Sequence, residues 1–177
     1  IHGGAGTIDK SKMSKEKRVA YETKLKQARD TGYQLLAAGE SSQAAVIAAI
    51  QILEDSPLFN AGKGAVYTFD GEHELDASIM NGKTLNAGAV SGVKTVKSPI
   101  ALAEEVMENS VHVMLSGEGA EVFAKQQGLA LVDNHYFDTD ARYQSLLKAK
   151  QQLAEKEKQL KDFQAAHQTL NKEYKYG

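Results

Sequence analysis

The sequence predicts a mixed α/β layered domain, and three features of its texture carry that expectation. Residues 14–57 space their apolar positions as helices do, and residues 64–93 hold short β-rich runs separated by turn pairs. Residues 98–128 then return to helix, strand, helix. Helices packed on a small sheet are the simplest way for this order to bury its apolar faces. The predicted sheet is too small to close by itself, so some of its strands are expected to come from elsewhere.

Taken in order, Tyr21, Leu25, Ala28 and Leu35 recur at three-or-four spacing over 14–38, an amphipathic helix stopped by Gly39. Ser41 offers an N-cap for a second helix through Ala45, Val46, Ile50 and Leu53, ended by Pro57. Its stretch 44–50 is almost continuously apolar, which predicts burial on more than one face. Three β-rich runs follow at 65–69, 75–80 and 87–90, separated by Asp70-Gly71 and Asn81-Gly82, and an antiparallel meander is the simplest arrangement. Ser98-Pro99 supplies an N-cap and first-turn proline for a helix to Asn109. A strand over 111–115 and a helix over 116–127, with Gly128 beyond its end, complete the predicted elements.

Beyond Arg142 the composition changes. Seven lysines face four carboxylates over 143–177. Leu146, Leu153 and Leu160 recur every seven residues, but Lys150, Glu157 and Gln164 occupy the complementary seam. A half-empty heptad does not zip, so a surface helix fading into a mobile linker is expected. The chain therefore divides into a folded part, 1–142, and a tail, 143–177.

Bulk properties exclude several functions. The 177 residues are 42% hydrophobic and 25% charged, ordinary values for a soluble globular domain. A formal charge of −2 gives no footprint for nucleic acid. With no cysteine there is no thiol catalysis, disulfide or thiolate metal site, although the compartment stays open. No apolar run approaches the roughly 18 residues of a membrane span.

Two segments are shaped for function. His2-Gly3-Gly4-Ala5-Gly6 brings backbone N–H groups close to whatever lies beside it, either a ligand or simply a tight turn. It lacks the spacing and the Lys-Ser/Thr ending of phosphate loops. A strand is expected just upstream of Ile1, and His2 is expected to be held by backbone hydrogen bonds. The second segment, LEDSPLFNAGKG at 53–64, turns its carbonyls in several directions. That suits a hard cation bound by oxygen, and equally a plain structural loop. Glu72, Glu74 and Asp76 alternate onto one strand face as solvated charges, with only Asp76, beside Ala77, expected to be buried. There is no histidine pair at metal spacing and no GxSxG elbow, so no nucleophile is recognisable.

Six segments in order, IHGGAG, PLFNAGKGAV, HELDASIMNG, TLNAGAVSGV, SPIALAEEVME and HVMLSGEGAE, resemble the isoaspartyl peptidase/L-asparaginase group of N-terminal-nucleophile (Ntn) hydrolases, the plant-type asparaginases. The resemblance runs to about Arg142, and the tail is similar only in its low complexity. It implies an α/β fold of the αββα-sandwich Ntn-hydrolase type, completed by a separate β subunit and paired as an (αβ)2 heterotetramer. It also implies a precursor that cuts itself after Gly177, leaving a β-chain N-terminal threonine as nucleophile. On this chain the resemblance leaves no catalytic residue, but Asn60, Gly3 and Gly4 as active-site support. Main-chain carbonyls of Leu53, Glu54, Ser56, Phe59, Ala61 and Lys63 would hold a structural sodium ion, and no organic cofactor is implied. Lys63 is tolerable there if its ammonium points outward, although a neighbouring cation costs affinity. The implied substrates are β-aspartyl dipeptides and L-asparagine, in the cytoplasm by family habit. Glycosylasparaginases are the near competitor, and a non-catalytic binding subunit or a plain structural domain with an interacting tail are competitors from other classes. Glycosylasparaginases differ in the N-terminal motif and loop, and their lysosomal members rely on disulfides. The sequence of the β chain discriminates the binding subunit, and a self-association assay on 143–177 the structural domain.

The mobile-tail expectation is measurable by amide hydrogen exchange. Fast exchange is expected throughout 165–177, and strong protection there would contradict it.

Overall fold

The computed structural model describes residues 1–4 and 13–173, with 165–173 described by backbone alone. It divides into two compact units, Ile1–Thr139 and Asp140–Gly177.

In the first unit, α1 (Lys15–Ala37) starts where Ser14 Oγ accepts from Lys17 N at 3.2 Å. α2 (Ser42–Glu54) starts the same way, Ser41 Oγ accepting from Ala44 N at 3.0 Å. Each such cap contributes about 1 kcal/mol. The two helices pack on each other and enclose a small apolar cluster of Ala28, Leu53 and Phe59. α2 is less covered than its sequence suggests. Ala45, Ile47 and Leu53 are buried, but Val46 is 48% exposed, so the near-continuous apolar run still has an open side.

β1 (Leu75–Met80) and β2 (Ala87–Val93) pair antiparallel as expected, with Met80 opposite Ala87. α3 (Pro99–Asn109) then crosses to β3 (Met114–Ser116), which runs parallel to β2, and α4 (Gly117–Gln126) follows. The sheet order is β1-β2-β3: the expected meander is reduced to its β1–β2 hairpin, and β3 joins through a helical crossover. The hairpin connection also differs from a two-residue turn. Asn81 Oδ1 accepts from Lys83 N and Thr84 N, and Leu85 takes φ +64°, giving a wider loop closed by Asn81 N to Asn86 O at 2.8 Å.

The run 65–69 is not a strand. Val66 N donates to Asn60 Oδ1 at 2.9 Å and Val66 O faces His73 Nδ1 at 3.2 Å, so side chains take groups that a ladder would use. The Asp70-Gly71 turn is present, closed by Thr68 N to Glu72 O at 2.7 Å. Asp76 is exposed rather than buried. It sits at an irregularity in the β1–β2 register, where its Oδ1 accepts from Gly92 N at 2.9 Å. Glu72 and Glu74 are exposed, lie before β1 and share the Lys94 ammonium, at 2.6 and 3.5 Å.

The main core lies between α3 and the sheet. Ile100, Leu102, Ala103 and Val106 meet Val90 and Val93, and Ala120, Ala124 and Phe137 close it. Burying each larger side chain stabilises by about 1.5–3 kcal/mol. Helix and strand touch backbone to backbone at Gly88, where a Cβ would lie 2.0 Å from Ala103 O.

Polar clasps tie the segment after the core back to the sheet. Glu121 Oε1 accepts from Lys94 N and Thr95 N at 2.6 and 2.8 Å. In the 3-10 turn Asn134–Phe137, Asn134 Oδ1 accepts from His73 N at 2.9 Å, while its Nδ2 donates to His73 O and Lys94 O. His73 is fully buried, its Nε2 3.1 Å from Asp138 Oδ1, and His135 meets the other oxygen of that carboxylate. Burial works to raise the Asp138 carboxyl, but hydrogen bonds from Tyr67, His73 and His135 together hold it below its ordinary value. Both His73 nitrogens thus face oxygens, Val66 O and Asp138 Oδ1.

The second unit contains α5 (Asp140–Glu173), 34 residues long. Its leucines Leu153 and Leu160 are 44% and 57% exposed, as the half-empty heptad predicts. Part of the predicted mobile stretch, 174–177, lies outside the described residues, as does Gly177 itself.

Replacing Asn134 by alanine leaves one backbone donor and two acceptors without partners. A loss of about 2–3 kcal/mol is expected in chemical denaturation of the full-length gene product, against about 1 kcal/mol or less for Asp133→Ala, which removes only a turn cap.

Candidate functional site

The loop after α2 is the most constrained irregular segment of the first unit. α2 ends at Glu54, and the chain turns through Ser56, Phe59 and the 3-10 turn Gly62–Gly64 before extending at Ala65. Two glycines make this path possible. Gly62 has φ +49°, and a Cβ on it would lie 2.4 Å from Glu54 O; a Cβ on Gly64 would lie 2.1 Å from Phe59 O. The carbonyls of Glu54 and Phe59 are therefore drawn in against glycine backbone with no side chain between.

Their hydrogen bonding is incomplete. Leu53 O accepts from Ser56 N and Ala61 O from Gly64 N, both at 3.2 Å. Among the described residues, the carbonyls of Glu54, Ser56, Phe59 and Lys63 accept no hydrogen bond. Glu54, Ser56 and Phe59 are 5%, 1% and 5% exposed, so three of these oxygens belong to buried residues. An unmade hydrogen bond on a buried group costs about 1–3 kcal/mol, and several in one loop call for a partner. Uncharged oxygens crowded into one loop are donors of the kind a hard cation takes. Of the residues expected to hold sodium, Glu54, Ser56, Phe59 and Lys63 have carbonyls that suit that group in this respect, while Leu53 and Ala61 share theirs with backbone N–H groups. Among the described residues no cluster of His, Asp and Glu side chains forms a metal site.

Lys63 turns its ammonium to the Tyr136 ring, 5.4 Å from the centroid, and Lys97 approaches the same ring at 5.9 Å. Tyr136 Oη donates to Asp55 Oδ1 at 3.4 Å, and Lys97 Nζ is 3.8 Å from the same oxygen. Burial first, then the Asp55 carboxylate, pushes the Tyr136 hydroxyl up, so it remains a donor. The Lys63 ammonium is thus held by an aromatic face.

Sequence reasoning missed the side chain of Glu54, having counted only its carbonyl. Glu54 Oε1 accepts from Ile100 N at 2.9 Å and Oε2 from Ser98 Oγ at 2.6 Å. Ser98 precedes α3 but its own side chain makes no cap bond, so the carboxylate from α2 caps α3 instead. Burial pushes the Glu54 carboxyl up, opposed by the bonds from Ser98 and Ile100, with nearby Asp55 pushing it further up. The available signal was a glutamate ending an otherwise apolar helix. His73 and Asn134 were missed as well, because nothing local in sequence links positions 61 residues apart.

The structure brings Gly3 to the edge of this loop. A Cβ on Gly3 would lie 2.7 Å from Leu25 Cδ2 and 3.0 Å from Phe59 Cε1, so its backbone packs on the ring inside the loop. Gly3 and Gly4, with Arg18, Tyr21, Glu22 and Phe59, line a groove of about 320 Å³. Asn60 is exposed and fixes Val66 through its Oδ1. His2 is exposed. Ala5 and Gly6 lie outside the described residues. Among the described residues no helix is long and apolar enough to cross a membrane.

The chain belongs to the asparaginase family, whose pattern it matches over residues 1–177. It is 51% identical over 150 residues to the isoaspartyl peptidase of Salmonella typhimurium, covering 85% of this chain and 48% of that protein. The plant-type L-asparaginase of Pyrococcus furiosus is 49% identical over 134 residues, 75% of this chain and 42% of its own. The isoaspartyl peptidase/L-asparaginase of Danio rerio is 41% identical over 140 residues, 79% of this chain and 44% of its own. The chain spans about half the length of the curated relatives it matches.

Gly62→Ala should test how tightly the loop is built. The new Cβ forces Glu54 O aside in a left-handed backbone, and a loss of about 2–3 kcal/mol is expected in denaturant unfolding. Unchanged stability would mean that the loop yields freely.

Proposed function

We propose that this chain is the α subunit of an autoprocessed N-terminal-threonine amidohydrolase that converts β-aspartyl dipeptides and L-asparagine to L-aspartate. The observation that carries this is membership of the asparaginase family together with relatives, about twice as long, named isoaspartyl peptidase and L-asparaginase. Within this reading the sheet is one layer of an αββα Ntn-hydrolase sandwich completed by a β subunit from the same precursor. Two such pairs form an (αβ)2 heterotetramer in the cytoplasm.

The chemistry then divides between the chains. The β-chain threonine attacks the amide carbonyl, its own α-amino group taking the hydroxyl proton. An α-amine with an ordinary pKa of about 7.7–8.0 suits that role near neutral pH. The leaving amine departs protonated, and water hydrolyses the acyl-enzyme. This chain supplies support. Asn60 fixes the backbone at Val66, Gly3 lets the N-terminal segment pack against Phe59, and Gly4 takes a φ of +113° that side chains disfavour. Leu53, Glu54, Ser56, Phe59, Ala61 and Lys63 would hold a sodium ion by their carbonyls. When bound, it supplies positive charge that keeps those dipoles turned inward. No organic cofactor is required.

Processing follows the same chemistry turned on the precursor, with Gly177 before the cut bond. A residue without Cβ leaves its carbonyl open to the adjacent hydroxyl. The test is intact mass spectrometry of the full-length gene product, with N-terminal sequencing. Two stoichiometric chains are expected, one ending at Gly177 and one beginning with threonine, together with hydrolysis of β-aspartyl dipeptides or asparagine. A single uncut chain, or a following residue other than Thr, Ser or Cys, would sink the proposal.

A further inference from the structure

Glu54 is 5% exposed; burial pushes its carboxyl up, and the hydrogen bonds on both its oxygens oppose that and favour the charged form. Both its oxygens accept, from Ile100 N–H and from the Ser98 hydroxyl, the latter at 2.6 Å, the short length of a charge-assisted bond. Ser98 Oγ in turn accepts from Gln51 Nε2 at 3.4 Å, which leaves the hydroxyl proton pointing at Glu54. All three donors are uncharged. Among the described residues Glu54 has no ion-pair partner, and its neighbour Asp55 carries the same sign. The two nearby ammoniums are engaged elsewhere, Lys97 with Asp55 and Tyr136, Lys63 with Tyr136. The first turn of α3 gives partial compensation, amounting to about half a charge at a helix start. Buried charges are paired or sit beside metals. On the same residue, one side chain's length away, a carbonyl that accepts no hydrogen bond among the described residues lies against Gly62.

We propose that the Glu54 carboxylate is the counter-charge of the cation held by the carbonyls of the 53–63 loop, so that this side chain sets cation affinity without being a ligand. The inference rests on the cation-loop part of the proposed function. A cage of neutral carbonyls compensates a monovalent ion only through dipoles. A fixed anion on the cage wall supplies the missing charge, and the same anion caps α3. Cation binding and the packing of α3 onto the loop thereby share one side chain.

The test uses the full-length gene product, with thermal unfolding followed as sodium chloride is raised against choline chloride at constant ionic strength. Sodium is expected to raise the wild-type Tm, choline not. Glu54→Gln keeps an acceptor for Ile100 N–H and a polar group for Ser98 but loses the charge. Its sodium midpoint should be higher by about tenfold or more, as removal of a charge within a side chain's length of the ion requires. Ser98→Ala keeps the charge and loses one bond, so its sodium midpoint should stay within about twofold of wild type even if its Tm falls. Glu54→Gln binding sodium at the wild-type midpoint would reduce Glu54 to a cap and overturn the proposal. A loss of sodium affinity in Ser98→Ala would do the same, since geometry and not charge would then govern the loop, and this arm stands even if Glu54→Gln does not fold. A wild-type protein indifferent to sodium would remove the cation loop itself, a failure distinct from either variant result.

Discussion

The last residue of α2 faces two ways. Its carbonyl turns into the loop that follows, and its carboxylate reaches the first turn of α3. The loop, the helix α3 and the sheet beneath α3 therefore take their mutual positions from one side chain buried where water cannot replace its bonds. Removing a buried carboxylate's partners is costly because the charge remains. Ser98 and Ile100 are thus as constrained as Glu54, and Gln51, one turn back on α2, extends the constraint by orienting the Ser98 hydroxyl. The core of Val90, Val93, Ile100 and Val106 supplies most of the burial, but it does not by itself specify how α2 meets α3. The polar junction does.

Much of the architecture was legible. The helix start at Ser41 was read from residue type, since a hydroxyl three residues ahead of a free N–H is a local device, and the helix from Ser14 was read from its apolar spacing. The pairing of 75–80 with 87–93 was likewise visible in alternating β-rich runs. What escaped was decided by distant partners. The run 65–69 looks like a strand until Asn60 and His73 claim the backbone of Val66. β3 pairs parallel because α3 carries the chain across, a topology that three short residues cannot announce. Asp76 gave the wrong burial because a register irregularity turns its carboxylate to Gly92 instead of into the core.

The candidate site shows the same division. Loop shape was readable from glycine, proline and asparagine in 53–64, and the structure accounts for the glycines by close approach to Glu54 and Phe59 carbonyls. The concern over Lys63 has a physical resolution as well. The Lys63 ammonium lies over the Tyr136 ring, a contact 73 positions along the chain that no local pattern reports. The carboxylate of Glu54 was hidden in plain view, because a glutamate at a helix end ordinarily faces solvent.

The three-stranded sheet carries a consequence of its own. Among the described residues, β1 and β3 each pair on one side only, and Met80, Leu85, Val111, Val113 and Met114 stand 51–97% exposed around their ends. Open strand edges beside apolar side chains are templates for stray pairing between molecules. Such a surface is tolerable when its complement arrives on the same ribosome product, at the high effective concentration that a covalent connection imposes. Supplied from a separate message, the complement would have to win a race against self-association. In the proposed two-chain enzyme, synthesis as one polypeptide would then act as quality control for a sheet built this way.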